Sequence, residues 1–355
     1  MIEFGHRQVG EGAPCFITFE AGPTHDGVEK AKALIDAAAD ASGDAVKFQI
    51  LNPDRLVADR TLPFSYDVLV NRETGATETV SEPLYDILCR RALSDDEWAD
   101  VKSHADERGL PFFATVGFPE EIELLERLSC DSIKIASLDV DHHVLIRHAA
   151  RTGMCIQLDT GNSTLGEIEA AVDVIRAEGN ERIIVHQCPS GYPARLESIN
   201  IRIIHTLKAM FPGIAVAFSD HSPERDMDIA AVAMGAHLVE KTITLDKMTR
   251  SVEHVMSLEP AEMKHFVQAI RDVETAIGGA RRLMSPEEMK QRVTWRRSIH
   301  AINSLPAGHV LSEDDLDYRR PGFGIPPTEV DRLIGSTLTR DIEAGALLTW
   351  SDIGS

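Results

Sequence analysis

The chain has 355 residues, 43% of them hydrophobic and 26% charged, the balance of a globular protein with room for a large core. Its formal net charge of −21 argues against nucleic acid or an anionic membrane as a partner, because both select a basic face. A small anionic substrate stays open, since a few local lysines can dominate a pocket. No apolar run approaches the roughly 18 residues of a membrane span, and Met1 to Gly12 lacks the apolar stretch of a signal peptide. Cys15, Cys89, Cys130, Cys155 and Cys188 are scattered and form no CxxC, so reduced thiols and a cytoplasmic location are expected.

Taken in order, apolar runs alternate with helix-patterned ones. Phe16–Glu20 reads as a first strand and Val28–Ala41 as its helix; Ala45–Ile50 is the second strand. The connection from Leu51 to Pro83 is too long for a passive loop and suits a lid or binding loop. Leu84–Arg108 reads as helical, with Trp98 on its apolar stripe. Strands at Pro111–Thr115, Ser132–Ile135, Cys155–Asp159 and Arg182–Gln187 follow, with helices at Pro119–Leu128, Val144–Arg151, Leu165–Ala177 and Ile199–Phe211. Ile214–Phe218 and His237–Glu240 complete the strands, with helices at Met227–Met234 and Pro260–Ile277, the latter stopped by Gly278-Gly279.

About eight βα units with short links predict a (β/α)8 TIM barrel. The alternative, a doubly wound open sheet, often carries a G-x-G-x-x-G turn after its first strand. Here that turn is Gly22-Pro23-Thr24-His25-Asp26-Gly27. After Arg282 the pattern changes to short apolar pieces broken by turns such as Pro306-Ala307-Gly308 and Arg320-Pro321-Gly322. The expected organisation is a barrel over 1–283, a linker over 284–296 and a small β-rich domain over 297–355.

Barrel enzymes keep their chemistry at the C-terminal ends of the strands. Here those ends carry Glu20, Lys47, Gln49, Thr115, Lys134, Ser137, Asp159, Ser190, Ser219, Asp220 and His221. Lys47 and Gln49 share a strand face by period two. Lysines inside the apolar strands VKFQI and IKI are costly without an anionic partner, so they suit a phosphate or carboxylate ligand. His221, beside Asp220 at a strand end, is a candidate metal ligand or acid–base group, or a satisfied structural histidine. The other histidines, such as His142, His143 and His148, lie on helices or helix starts and are read as surface.

Several stretches together resemble the sialic acid synthase family, the phosphoenolpyruvate-condensing nonulosonic acid synthases. They are Glu20-Ala21-Gly22-Pro23-Thr24-His25-Asp26-Gly27, similar to E-x-G-x-N-H-x-G; Asp44–Gln49; Ser132–Ser137; Cys188–Pro193; Phe218–His221; and Val239-Glu240-Lys241. Arg296-Arg297-Ser298 and Arg319–Ile325 look like the family's C-terminal antifreeze-like (SAF) domain. The resemblance implies condensation of phosphoenolpyruvate with a sugar aldehyde. A divalent metal, manganese or magnesium, would polarise the aldehyde. It implies that Lys47, Lys134, Ser137, Ser190 and Ser219 hold phosphoenolpyruvate, that Glu20 acts at the reacting carbons, that Gln49 and Tyr192 touch the sugar, and that His221 binds the metal. It also implies a domain-swapped homodimer in which Arg320 reaches the partner's barrel.

Three positions depart from the family. Thr242 stands where E-[KR]-H-F-T has a second metal-binding histidine, so the second ligand is open, with His254 or Glu240 as candidates and a weak or absent metal requirement expected. Glu253 replaces an aspartate expected to touch the sugar, and Asp159-Thr160-Gly161 replaces S-T-G, placing a carboxylate near a phosphate pocket. Metal-independent condensation, a non-catalytic sugar-phosphate-binding barrel, and a Schiff-base aldolase using Lys134 are the competing readings.

Overall fold

A computed structural model describes residues 1–354. The chain opens with a short antiparallel hairpin, β1 (Ile2–Phe4) and β2 (Arg7–Val9). Then come β3 (Phe16–Glu20), α1 (Val28–Asp40), β4 (Ala45–Gln49), the short α2 (Pro53–Leu56), a second hairpin β5 (Pro63–Asn71) and β6 (Ala76–Pro83), α3 (Leu84–Cys89) and α4 (Asp95–Glu107). Regular alternation follows: β7 (Phe112–Val116), α5 (Pro119–Arg127), β8 (Ser132–Ile135), α6 (His143–Arg151), β9 (Cys155–Asp159), α7 (Leu165–Ala177) and β10 (Ile183–Gln187). The unit ends with α8 (Leu196–Ile199), α9 (Ile203–Met210), β11 (Ala215–Asp220), α10 (Asp226–Ala233), β12 (Leu238–Thr242) and α11 (Pro260–Ile277).

β3, β4 and β7 to β12 close into an eight-stranded parallel barrel in chain order, β12 pairing back onto β3. The expected TIM barrel is therefore the observed fold. Alternation decides what each strand residue does. Val46 and Phe48 turn outward to the helices, in one core with Trp98, Phe112, Ile133 and Val239. Ala45 turns inward, so Lys47 and Gln49 do too. The inward face is layered. Its lower half is apolar, built from Phe16, Ala45, Phe113, Cys155, Ile184, Ala215, Ala217 and Leu238. The β1–β2 hairpin plugs that end with Ile2, Phe4 and Val9, Phe4 stacking on Phe16 at 4.9 Å and meeting Phe113 edge-on at 5.3 Å.

Two expectations need correction. The helical stretch Leu84–Arg108 is two helices, because Ser94 caps α4: its hydroxyl accepts from Glu97 N–H at 3.4 Å while the Glu97 carboxylate accepts from Ser94 N–H at 2.7 Å. The Ile199–Phe211 helix is likewise interrupted, at Asn200, whose φ of 46° is left-handed. The plugging hairpin was not foreseen; three-residue strands carry no readable period. The long connection after β4 contains the β5–β6 hairpin, whose Tyr66 and Val68 pack on Ile87 and Val252.

The chain divides into two compact units, 1–278 and 279–355, so the expected linker falls within the second. That unit begins with α12 (Pro286–Trp295), capped by Ser285. β13 (Ser298–Ala301) pairs antiparallel with β14 (Leu316–Arg319), isolated bridges such as Leu305 with Ile342 add short pairs, and α13 (Val330–Leu333) completes it. Its own core gathers Ile299, Leu311, Leu316, Ile325, Leu338 and Leu348.

Candidate active site

Above the apolar layer the barrel interior turns polar. Lys47 on β4 forms ion pairs with Glu20 on β3 and with Glu240 Oε1 on β12, the latter at 2.5 Å. Lys134 on β8 reaches Glu240 Oε2 at 2.7 Å and Asp159 Oδ1 on β9 at 2.9 Å. Glu240 thus bridges both lysines. Burial would raise its pKa, but Lys134 and then Lys47 outweigh that and hold the carboxyl well below the usual range. Burial pushes Glu20 and Asp159 up, against the pull of Lys47 and Lys134 respectively. For Lys47, burial opposes the charge, yet Glu20, Glu240 and Asp159 raise it well above its ordinary value.

The third acceptor of Lys134 is His186 Nδ1 at 3.1 Å. Below it runs a chain: His186 Nε2 to Gln157 Oε1 at 2.9 Å, Gln157 Nε2 to Ser132 Oγ at 2.9 Å, and Ser132 Oγ to the Cys155 carbonyl at 2.9 Å. The amide can donate only through nitrogen, so Oε1 accepts and His186 carries its proton on Nε2, leaving Nδ1 to accept from Lys134. Burial and then Lys134 depress its pKa well below normal, which matches a neutral ring.

This polar layer floors a cavity of about 450 Å³. Glu20, Lys47, Gln49, Thr115, Ser137, Asp159, Tyr192, His221, Glu240 and Glu253 all line it, so most of the strand-end residues converge as expected. Leu56, Phe64, Tyr66, Leu84, Ile87, Leu88, Arg91 and Val252 give the other wall, largely from the segment between β4 and α4. Two glycines keep the floor open. A Cβ on Gly22 would lie 2.6 Å from Glu20 Oε1, which instead accepts the Gly22 N–H at 2.5 Å; one on Gly161 would lie 3.2 Å from Ser137 Oγ.

Other candidates lie elsewhere. Lys134 and Ser219 sit beneath the wall, Ser219 donating to Glu240 Oε1 at 3.3 Å. Ser190 is exposed and donates to Asn162 Oδ1 at 3.0 Å. Asp220 turns outward, bound to Lys241 at 2.5 Å and Ser222 at 2.8 Å, so it cannot supplement a metal in the cavity. Arg320 belongs to the second unit. The reading of the remaining histidines as surface fails for His25 and His186, both buried; His25 packs edge-on to Phe48 and Trp98. Arg91 and His186 were the functional candidates not singled out, and Glu240 was read only as a possible metal ligand, not as the bridge between the two lysines. Glu240 could have been found by the period of its strand, LVEKT, which places it on the face of Leu238.

The implied metal would need donors on this wall. His221 Nδ1 donates to the Pro189 carbonyl at 3.1 Å, burial lowers its pKa, and its Nε2 makes no protein hydrogen bond, so it is one competent imidazole. His254 is not on the cavity wall and its Nδ1 bonds Thr244 Oγ1 at 2.7 Å. Thr242 is a weak donor, and Glu20, Asp159 and Glu240 are bound to lysines. Among the described residues no group of three His, Cys, Asp or Glu side chains is disposed to hold a metal ion. The residues at hand do not fit a divalent ion.

The NeuB family model matches residues 34–282 and the SAF domain model residues 296–354. The chain is 33% identical over 355 residues to the N,N'-diacetyllegionaminic acid synthase of Legionella pneumophila, covering 98% of this chain and 97% of that one. Its fold is similar to the N-acetylneuraminic acid synthetase of Leptospira borgpetersenii in complex with citrate, with a TM-score of 0.71, 27% identity and coverage of 82% and 94%. It is also similar to the Bacillus subtilis spore coat polysaccharide biosynthesis protein SpsE, with a TM-score of 0.64, 31% identity and 99% of both chains.

Proposed function

Because the chain belongs to the NeuB family, we propose that it is a carbon–carbon bond-forming transferase that condenses phosphoenolpyruvate with the aldehyde of an open-chain sugar, giving a nonulosonic-type acid and phosphate. The observation that carries this reading is the floor of the cavity. Two lysines from separate strands meet three carboxylates there, under one mouth.

Phosphoenolpyruvate brings its own oxyanions. They replace protein carboxylates around Lys47 and, as Asp159 swings aside, around Lys134, with Ser137 and Thr115 on the same wall. Asp159 then stands near a phosphate; its raised pKa lets it take up a proton, which removes the repulsion. C3 of phosphoenolpyruvate attacks the aldehyde carbon and the carbonyl oxygen becomes a hydroxyl. Water adds at C2, and the bond from C2 to the phosphate oxygen breaks, releasing phosphate. Glu20, fixed by Gly22 N–H and carrying a raised pKa, takes one proton of that water and returns it to the new alkoxide; the other leaves with the phosphate as the C2–O bond breaks and C2 becomes the ketone. Gln49 and Glu253 on the wall, and Tyr192 packed 4.5 Å from the His221 ring, contact the sugar.

A Schiff-base aldolase is disfavoured by one observation: Lys134 Nζ has three acceptors within 3.1 Å, which leaves no lone pair for a carbonyl. The same proposal includes a weak or absent metal requirement and a homodimer in which Arg320 reaches the partner's cavity. Sedimentation should give twice the mass of 39.0 kDa, and a chain cut near Met284 should lose most activity. The deciding experiment is phosphate release from phosphoenolpyruvate with a panel of aldoses, with and without manganese. Release that depends on an aldose is expected; no release with any aldose, or borohydride trapping of a carbonyl substrate on Lys134, overturns the reading.

A further inference from the structure

We propose that Arg91 binds an oxyanion carried by the acceptor, so that the acceptor is a phosphorylated aldose or an aldose acid rather than a neutral sugar; this rests on the condensing function set out above. Arg91 lies two residues beyond α3, in the part of the cavity wall supplied by the segment between β4 and α4. The residue is 6% exposed. Nε is buried without a hydrogen-bond partner, and among the described residues no carboxylate forms an ion pair with this guanidinium. The contrast with the other lining cation is sharp, since Lys47 is met by two carboxylates.

Burial depresses the pKa of Arg91, but a guanidinium does not give up its proton in a protein. The charge is therefore buried and uncompensated, a state that desolvation makes unfavourable. Two carboxylates act on it from a distance, Glu253 and then Glu20. Glu20 is committed to Lys47 and Gly22 N–H. Burial raises Glu253 to about 7, so near neutrality it is only partly ionised. Around Arg91 the wall is apolar, with Ile87, Leu88, Tyr66 and Val252. Neutral hydroxyls would leave the charge standing there. A phosphate or carboxylate neutralises it and matches the planar fork with two parallel N–H···O bonds. Phosphoenolpyruvate does not need this group, because its oxyanions have Lys47 and Lys134 at the floor.

The test uses hexitols, which have no aldehyde and cannot react. With the full-length protein saturated in phosphoenolpyruvate, calorimetry compares a neutral hexitol, a hexitol 6-phosphate and a hexonate. At least one anionic ligand should bind tenfold tighter or more than the neutral one, and which one does so separates phosphate from carboxylate. Arg91→Met should reduce that ligand to the neutral level and leave phosphoenolpyruvate affinity unchanged, while Arg91→Lys keeps part of the gain. Equal affinity of all three ligands in the wild type overturns the proposal, whatever the variants do. So does an Arg91→Met protein that loses phosphoenolpyruvate affinity, since the residue would then belong to the floor. Absence of phosphate release with every aldose would instead count against the condensing function, and the hexitol comparison would still read Arg91.

Discussion

Strands β11 and β12 carry two buried ion clusters on opposite faces. Inward, Ser219 and Glu240 join Lys47, Lys134, Glu20 and Asp159. Outward, their chain neighbours Asp220 and Lys241 form a second set, with Lys241 Nζ 2.5 Å from Asp220, 3.5 Å from Asp228 on α10 and 2.6 Å from the Ser222 carbonyl. Both sets have one more carboxylate than lysine, and both are almost fully buried. Burial and then Asp220 push Asp228 well above the usual carboxylate range, so the outer set is balanced by a proton. What separates them is access. Glu20, Lys47, Asp159 and Glu240 face the cavity, whereas Asp220, Asp228 and Lys241 face the helices. Burial of charge is therefore no sign of function; a cluster that a ligand can reach can exchange its partners, and a sealed one only holds the wall.

The comparison can be broken by mutation. The largest effect expected is in the sealed set. Lys241→Met leaves the buried Asp220 carboxylate without a cation beside the protonated Asp228 and should cost about 3–5 kcal/mol of stability, read by denaturant unfolding. In the open set, Lys47→Ala and Lys134→Ala should each weaken phosphoenolpyruvate binding by about 1.5–3 kcal/mol, with a smaller stability loss because cavity water and protons can satisfy the freed carboxylates. A Lys47→Ala protein as unstable as Lys241→Met, with intact phosphoenolpyruvate affinity by calorimetry, would erase the distinction.

Two smaller effects sharpen it. Thr242 follows Glu240 by two on the inward face of β12, opposite Glu20 in register. Thr242→His should tighten manganese binding by about tenfold, within the range for one altered metal-site group; no gain in a folded variant would refute this. Glu253 is the mildest case. Its folded pKa is raised to about 7, so the folded state keeps a proton that the unfolded chain releases at lower pH. Stability from this group is present below its ordinary pKa and is lost as pH rises to 7. Melting temperature should fall over that interval in the wild type and less so in Glu253→Gln.

Much of this was legible in the sequence because alternation is strict inside a barrel. VKFQI placed Lys47 and Gln49 on one face, and IKI placed Lys134; the residue type and the period together were enough. Asp159 was legible as a misfit, and the structure shows what it pairs with. Arg91 was not legible, since it follows a short helix in a segment with no period, and its meaning lies in which partners it lacks. His186 was missed because VHQ reads equally well as either face of a strand until the neighbouring Ile184 is known to point inward. Asp220 was misplaced for the converse reason: a polar strand end suggested the mouth, while its side chain follows the outward alternation to Lys241.

The N-terminal hairpin has a consequence for kinetics. With Phe16, Phe113 and Leu238 filling the lower interior and Ile2, Phe4 and Val9 covering it, the barrel is a cup closed at its base. Molecules that stack within a cup are served last-in, first-out. The ligand seated on the lysines has to load before the one that rests above it, and a fragment left on the floor has to wait for the upper one to depart. A two-substrate reaction run in such a vessel should show a compulsory order of addition, and product-inhibition patterns would read that order directly.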